Sequence, residues 1–133
     1  MPALTSLVLK DRATTPVDHT FTPFDRVGGV GVLVESNGRK VGDSRFTLSS
    51  HKTANGRYRA QLKLERPVVE NAVIEGVTTP KVVRVAYATV DFSYHGESTT
   101  QERKDLVGML EDALKAAKTM VNSVVVDLEG IYG

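Results

Sequence analysis

Three segments of alternating residues carry polar side chains that could act together. Arg45, Thr47, Ser49 and His51 alternate with Phe46 and Leu48. Arg57, Arg59, Gln61 and Lys63 alternate with Tyr58, Ala60, Leu62 and Leu64. Tyr87, Thr89, Asp91 and Ser93 alternate with Ala86, Ala88, Val90, Phe92 and Tyr94. Side chains on a strand point to opposite faces with period two, so each segment has one apolar and one polar face. The polar faces offer cations, hydroxyls, an amide and an aromatic ring. Cations bind phosphates, hydroxyls and amides read base edges, and an aromatic plane stacks on bases. Together they suit RNA, against the plainer alternative of a solvated sheet face.

Other chemistries find little to work with. The chain has 133 residues and no cysteine, which excludes disulfides, thiol catalysis and Cys-containing metal sites. His19, His51 and His95 fall on separate segments without close metal-ligand spacing, and each reads as a surface polar residue. Asp91 and His95 share a strand face but stand too far apart along it to pair directly. Gly28-Gly29-Val30-Gly31 lacks the Lys-Ser/Thr and the helix of a phosphate loop, and reads as a bend entering a strand. No paired carboxylates stand out. The residues call for no metal, no cofactor and no catalytic group.

The polar faces need strands to hold them. Residues 44–52, 57–66 and 82–95 form the three clear strands. Asn55-Gly56 joins the first two as a hairpin, because both residues tolerate positive φ, and so puts their polar faces on one surface. Residues 4–9 and 17–21 are further strand candidates. Pro23 interrupts the second, which is therefore expected to be short or on an edge. Residues 28–35 form a Gly-flanked strand, followed by another hairpin signal at Asn37-Gly38. Residues 67–81, punctuated by Pro67, Gly76 and Pro80, are expected to form a long exposed loop with at most a short strand at 68–69 or 72–74.

After His95-Gly96 the period becomes helical. Ser98 to Gln101 matches a capping box with Ser98 as N-cap. Leu106, Val107, Leu110, Ala113, Leu114 and Ala117 recur at helical spacing, and a second short helix follows a break near residues 118–120. Strands first and helices afterwards make an α+β fold, an antiparallel sheet with helices over one face. Two short helices are little cover for so many strands, and open sheet edges invite pairing. A dimer that extends the sheet would answer both difficulties.

Composition sets wider bounds. The length fits one domain over residues 1–133. Hydrophobic residues at 41% and charged residues at 25% are ordinary for a globular protein. No apolar run is long enough to span a bilayer, and the N-terminus does not read as a secretion signal, so a soluble protein made inside the cell is expected. The net charge of +1 hides an asymmetry. Residues 37–66 hold eight basic and two acidic residues, whereas residues 97–129 hold four basic and seven acidic ones. A surface that binds a polyanion is compatible with the near-neutral total.

The stretches RFTLSSHKTANGRYRAQLKLERP (45–67) and TPKVVRVAYATVDFSYHGESTTQERKDLVGMLEDALKA (79–116), with the opening LTSLVLKDRATTPVDHTFTP and the terminal GIYG, resemble the coat proteins of small single-stranded RNA bacteriophages, the leviviruses. The resemblance covers essentially the whole chain. It rests on length, element order and the co-occurrence of NGRY, the Tyr87-x-Thr89 strand, the Ser98-Thr99 helix start and the Ile131-Tyr132 end. It implies an N-terminal hairpin, a five-stranded antiparallel sheet and two C-terminal helices. It further implies a homodimer with one continuous ten-stranded sheet, each subunit's helices lying across the partner. Dimers would assemble into an icosahedral shell of the T=3 type around the single-stranded RNA genome, so that the protein resides in the virion. The phage maturation protein would be a further partner, and no membrane would be involved. A dimer would also bind an RNA hairpin at the start of the replicase gene and repress its translation.

Carried over residue by residue, the resemblance places the family's RNA-binding strands on Thr47, Ser49, His51, Asn55, Arg57, Arg59, Gln61, Tyr87 and Thr89. Arg45 and Lys63 lie on the same polar faces and complete the candidate set. Thr47 and Ser49 match a hydroxyl pair that pockets an unpaired adenine. Tyr87 matches a tyrosine that stacks on a loop base, and Arg57 stands where a basic residue meets phosphate. Thr89 stands where other members have Asn or Asp. Residues 67–81 match the loop around the symmetry axes of the shell, with Pro80 where relatives carry a proline that helps it switch conformation. The residues alone also allow a dimeric RNA-binding regulator that uses a sheet platform and forms no shells, or a small dimeric enzyme with a pocket beneath the helices.

Overall fold

Among the described residues, six strands follow one another in chain order, each hydrogen-bonded to the next, and two helices come after them. The computed structural model describes residues 3–35 and 42–132. The strands are β1 (Leu7–Lys10), β2 (Asp18–Val27), β3 (Val30–Glu35), β4 (Ser44–Lys52), β5 (Tyr58–Ile74) and β6 (Val77–Tyr94). The helices are α1 (Thr100–Ala113) and α2 (Thr119–Val125). The chain divides into two compact units, Met1–Ser93 with the sheet and Tyr94–Gly133 with the helices. The α+β order is as expected. The described residues hold six strands: β1 and β2 are the N-terminal hairpin, and β2 itself continues into pairing with β3. The Asn37-Gly38 signal lies outside the described residues.

Two expectations about strand ends are corrected. Pro23 does not end its strand. β1 flanks β2 only as far as Phe21, so beyond it a missing N–H costs no ladder bond on that side. A register shift between Pro23 and Asp25 absorbs the irregularity. Residues 67–81 are not a loop. β5 runs to Ile74 and β6 starts at Val77. The turn between them has Glu75 at φ 52° and Gly76 at φ 78°, the left-handed pair that a two-residue hairpin of right-handed twist requires. Val68, Val69 and Val73 before the turn, with Val77, Val82 and Val83 after it, supply the β-branched side chains that favour extended backbone. Proline and glycine spacing concealed that continuity.

The other turn also differs in detail. At Asn55-Gly56 only Gly56 takes a positive φ, 79°. Gly56 N–H donates to Thr53 O at 3.0 Å, and Thr53 N–H donates to Arg57 O at 2.7 Å. The loop is thus a turn closed by a left-handed glycine, longer than the two-residue form.

The apolar face of the sheet carries the core. Phe21 is 1% exposed and Leu33 2%. Leu33 is opposite Phe46, Phe46 is opposite Leu64, and Leu48 is opposite Leu62. The Phe21 and Phe46 rings meet in a tilted arrangement, centres 6.3 Å apart.

His19 lies on this face and not on the open surface, a further correction. It donates from Nδ1 to Glu35 Oε2 at 2.6 Å and from Nε2 to Asp11 Oδ2 at 2.7 Å. Neutral imidazole has a single N–H, so bonds from both nitrogens to carboxylates describe an imidazolium. Those hydrogen bonds raise the His19 pKa above its ordinary value, against partial burial and the repulsion of Arg66. Asp11 is held down to about 2 by the His19 bond and by the N–H groups of Val17 and Ala13. The cluster ties the β1–β2 hairpin to β3.

In the second unit, the helical spacing is confirmed but the cap is one residue later. Thr99 is the N-cap of α1 and accepts from Glu102 N–H at 3.2 Å, while Glu102 Oε2 accepts from Thr99 N–H at 3.3 Å. Ser98 instead receives Arg103 Nη1 at 2.9 Å on its hydroxyl, and Gln101 donates to Asp105. No residue of α1 or α2 is buried.

Candidate nucleic-acid interface

The polar face is assembled by strand register. β4 and β5 pair Arg45 with Glu65, Thr47 with Lys63, Ser49 with Gln61 and His51 with Arg59. Alternation therefore sets all eight on one surface. On the other flank Val34, Val32 and Val30 of β3 stand opposite Arg45, Thr47 and Ser49. Apolar side chains thus border the two hydroxyls, and a flat base could rest there while the hydroxyls take its edge.

β6 joins the same surface through three contacts from β5 and the residue preceding it. Lys63 Nζ lies 5.5 Å from the centre of the Tyr87 ring. Arg59 Nη2 lies 3.6 Å from Asp91 Oδ1. Arg57 donates from Nε to Ser93 Oγ at 3.2 Å. Thr89 follows by alternation between Tyr87 and Asp91. Asn55 sits apart from the strands, exposed in the hairpin loop. Register and contacts therefore bring ten of the eleven candidate residues onto one face.

The electrostatics of the face are open to competition. Arg59–Asp91 and Lys63–Glu65 (3.5 Å) are half-exposed ion pairs, each weak in water. A phosphate could displace either carboxylate. Among the described residues no cluster of His, Asp and Glu is arranged to hold a metal ion.

Two features went unseen in the sequence. Phe24 lies beside Arg45, with the guanidinium 5.8 Å from the ring centre. Pro23 hid it, since no strand was expected to pass there. Asp91 and Glu65 moderate the cations, and only register reveals which cation each one faces.

The sequence matches the levivirus coat protein family over residues 2–132. It is 54% identical over 129 residues to the capsid protein of Pseudomonas phage PRR1, covering 97% of this chain and 98% of that one. The fold is similar to a subunit of the virus-like particle of bacteriophage NT-214, with TM-score 0.85, 22% identity and coverage of 98% and 100%. It is also similar to a chain described as an unassembled bacteriophage coat protein dimer that binds RNA, with TM-score 0.58, 22% identity and 98% coverage of both chains. A whole-length family match, a relative sharing more than half its residues and the same strand-then-helix order agree: this chain belongs to the levivirus coat proteins, non-enzymatic structural subunits of the viral capsid.

Proposed function

We propose that this coat protein acts as a homodimer that builds an icosahedral shell of the T=3 type. The polar sheet face would meet the single-stranded RNA genome. The same face would bind an operator hairpin and so repress replicase translation. The observation that carries the RNA reading is the row Thr47–Lys63–Tyr87, in which a hydroxyl, a cation and an exposed aromatic ring adjoin across β4, β5 and β6. In this reading Thr47 and Ser49 hold an unpaired base and Tyr87 stacks on another. Arg45, Arg57, Arg59 and Lys63 meet phosphates, and His51, Asn55, Gln61 and Thr89 contribute polar contacts at the margins. Residues 1–133 act as one coat domain in the virion, with the phage maturation protein as a further partner.

The dimer is supported by what a single chain leaves uncovered. Neither helix has a buried residue, and Leu106, Met109, Leu114, Met120 and Leu128 are exposed. The helices also flank a groove lined by Met109, Ala113, Ala117, Met120 and Val121. Apolar stripes of this kind call for a partner surface. The test is electron microscopy of the recombinant protein together with hairpin binding by its dimers. Uniform shells and selective hairpin binding are expected. Stable dimers that bind RNA but form no particles would favour a sheet-platform regulator.

A further inference from the structure

We propose that Phe24 and Arg45 form a second nucleobase-stacking site on the polar sheet face, at the opposite margin from Tyr87, which takes an unpaired nucleotide regardless of its base. The inference rests on the reading of that face as an RNA surface.

The local backbone explains why Phe24 is available. The β2–β3 register passes from Pro23 opposite Leu33 to Asp25 opposite Val32, so Phe24 is the extra residue of a bulge. Bulges re-aim side chains. Phe21, three residues earlier, is buried in the core, whereas Phe24 is 66% exposed. Its ring lies against the Arg45 guanidinium. Arg45 belongs to the polar face, between Val34 and Glu65 in register and one step along that face from Thr47. The Phe24 side chain therefore stands on the polar face as well.

An exposed ring beside a guanidinium has the chemistry of a nucleotide site. The ring gives a stacking plane, and the guanidinium gives donors for a phosphate. The far margin repeats the arrangement with Tyr87, 64% exposed, and Lys63. β2 and β6 are four strand spacings apart in the sheet order, roughly 19 Å at ~4.8 Å each. Thr47 and Ser49 lie between the two pairs. The face thus offers a stacking plane at each end of a hydroxyl-lined track, an arrangement for a run of unpaired nucleotides. Stacking on a phenyl ring tolerates every base because each has a π face.

The chain has no tryptophan, so Phe24→Trp introduces a unique fluorophore. Dimers of this variant are titrated with a short oligoadenylate and a short oligouridylate. Wild-type, Phe24→Leu, Phe24→Tyr, Arg45→Ala and Tyr87→Ala proteins are compared by filter retention across a salt series. Indole emission should be quenched at saturation by both oligonucleotides. Phe24→Leu, which keeps the apolar bulk, should weaken binding about fivefold or more, and Phe24→Tyr should retain it. Arg45→Ala should flatten the salt dependence by about one unit of slope. Unchanged indole emission at saturation, with Tyr87→Ala still impaired, would overturn the second site and leave the RNA face standing. Absence of binding by the wild-type protein would overturn the RNA face and this site with it. If Phe24→Leu binds RNA normally but fails to assemble by light scattering, Phe24 is a contact between copies and the inference is overturned.

Discussion

The Lys63 ammonium lies over the Tyr87 ring at 5.5 Å, and Lys63 is also the register partner of Thr47. One lysine thus links a hydroxyl strand to an aromatic strand at the β6 margin of the polar face. The cation holds the ring by its quadrupole and keeps a positive charge next to any base stacked there. Tyr87→Ala should lower affinity for the cognate hairpin about tenfold or more, since stacking is worth about 1–3 kcal/mol per base. Folding should survive, because Tyr87 is largely exposed. Hairpin binding with a scrambled hairpin as control decides this: equal weakening of both RNAs would remove Tyr87 from the specificity residues.

Arg57→Ala should behave differently. Its guanidinium bonds only a serine hydroxyl, Ser93 Oγ, among the contacts described, and stays exposed to phosphates. Its loss should weaken binding to all RNAs alike and reduce the salt slope by about one. A selective loss for the cognate hairpin would contradict a phosphate role.

The His19 cluster gives a pH dependence with a definite sign. The His19 pKa is raised in the folded state, so its contribution is complete below the ordinary value of 6.5 and is lost as pH rises through the raised value. Asp11 is depressed to about 2 from 3.8, so its contribution is present above 3.8 and is lost as pH falls towards 2. From these two groups, stability should be greatest between about pH 4 and 6.5. His19→Gln should flatten the alkaline decline. Denaturant midpoints across pH at fixed protein concentration measure it, and an equal alkaline decline in the variant would dismiss the cluster as its source.

Unfolding should depend on protein concentration. Helices without a buried residue imply that much of the apolar burial is supplied by a second chain, so the midpoint should rise with concentration. A midpoint independent of concentration, with a folded monomer on dilution, would count against an obligate dimer.

The β5–β6 tip is the place to separate folding from assembly. Val73 and Val77 flank the turn and are 71% and 62% exposed. Replacing both with Thr keeps β-branching and removes apolar surface. Dimers should fold normally by circular dichroism, while shell yield by microscopy should fall if the tip meets neighbouring dimers. Undiminished shells would exclude that contact.

Thr99→Ala should destabilise α1 by about 1 kcal/mol, because it removes the N-cap acceptor for Glu102 N–H. Thermal unfolding of the dimer reads this against Ser98→Ala.

Alternation alone determined the polar face. Arg45 to His51, Arg57 to Lys63 and Tyr87 to Ser93 each declare their face by period two, whatever they pair with. The change to helical spacing after Gly96 likewise marked where the sheet ends and the helices begin, since periodicity is a local property. Partners were not legible. That Lys63 meets Tyr87 and Thr47, or that Arg59 meets Asp91, follows from register across strands, which one chain segment does not encode. The same holds for Phe24. Whether a strand can pass Pro23 depends on what flanks it, and only the assembled sheet shows the β1–β2 pairing ending at Phe21. Residues 67–81 carried loop punctuation, yet pairing along two long strands outweighed Pro67 and Pro80 and concentrated the reversal at Glu75-Gly76. His19 reads as a surface residue in the sequence, and only the sheet puts it on the face of Phe21. Its ionisation came from Asp11 and Glu35, residues distant in sequence that the fold brings to its two nitrogens.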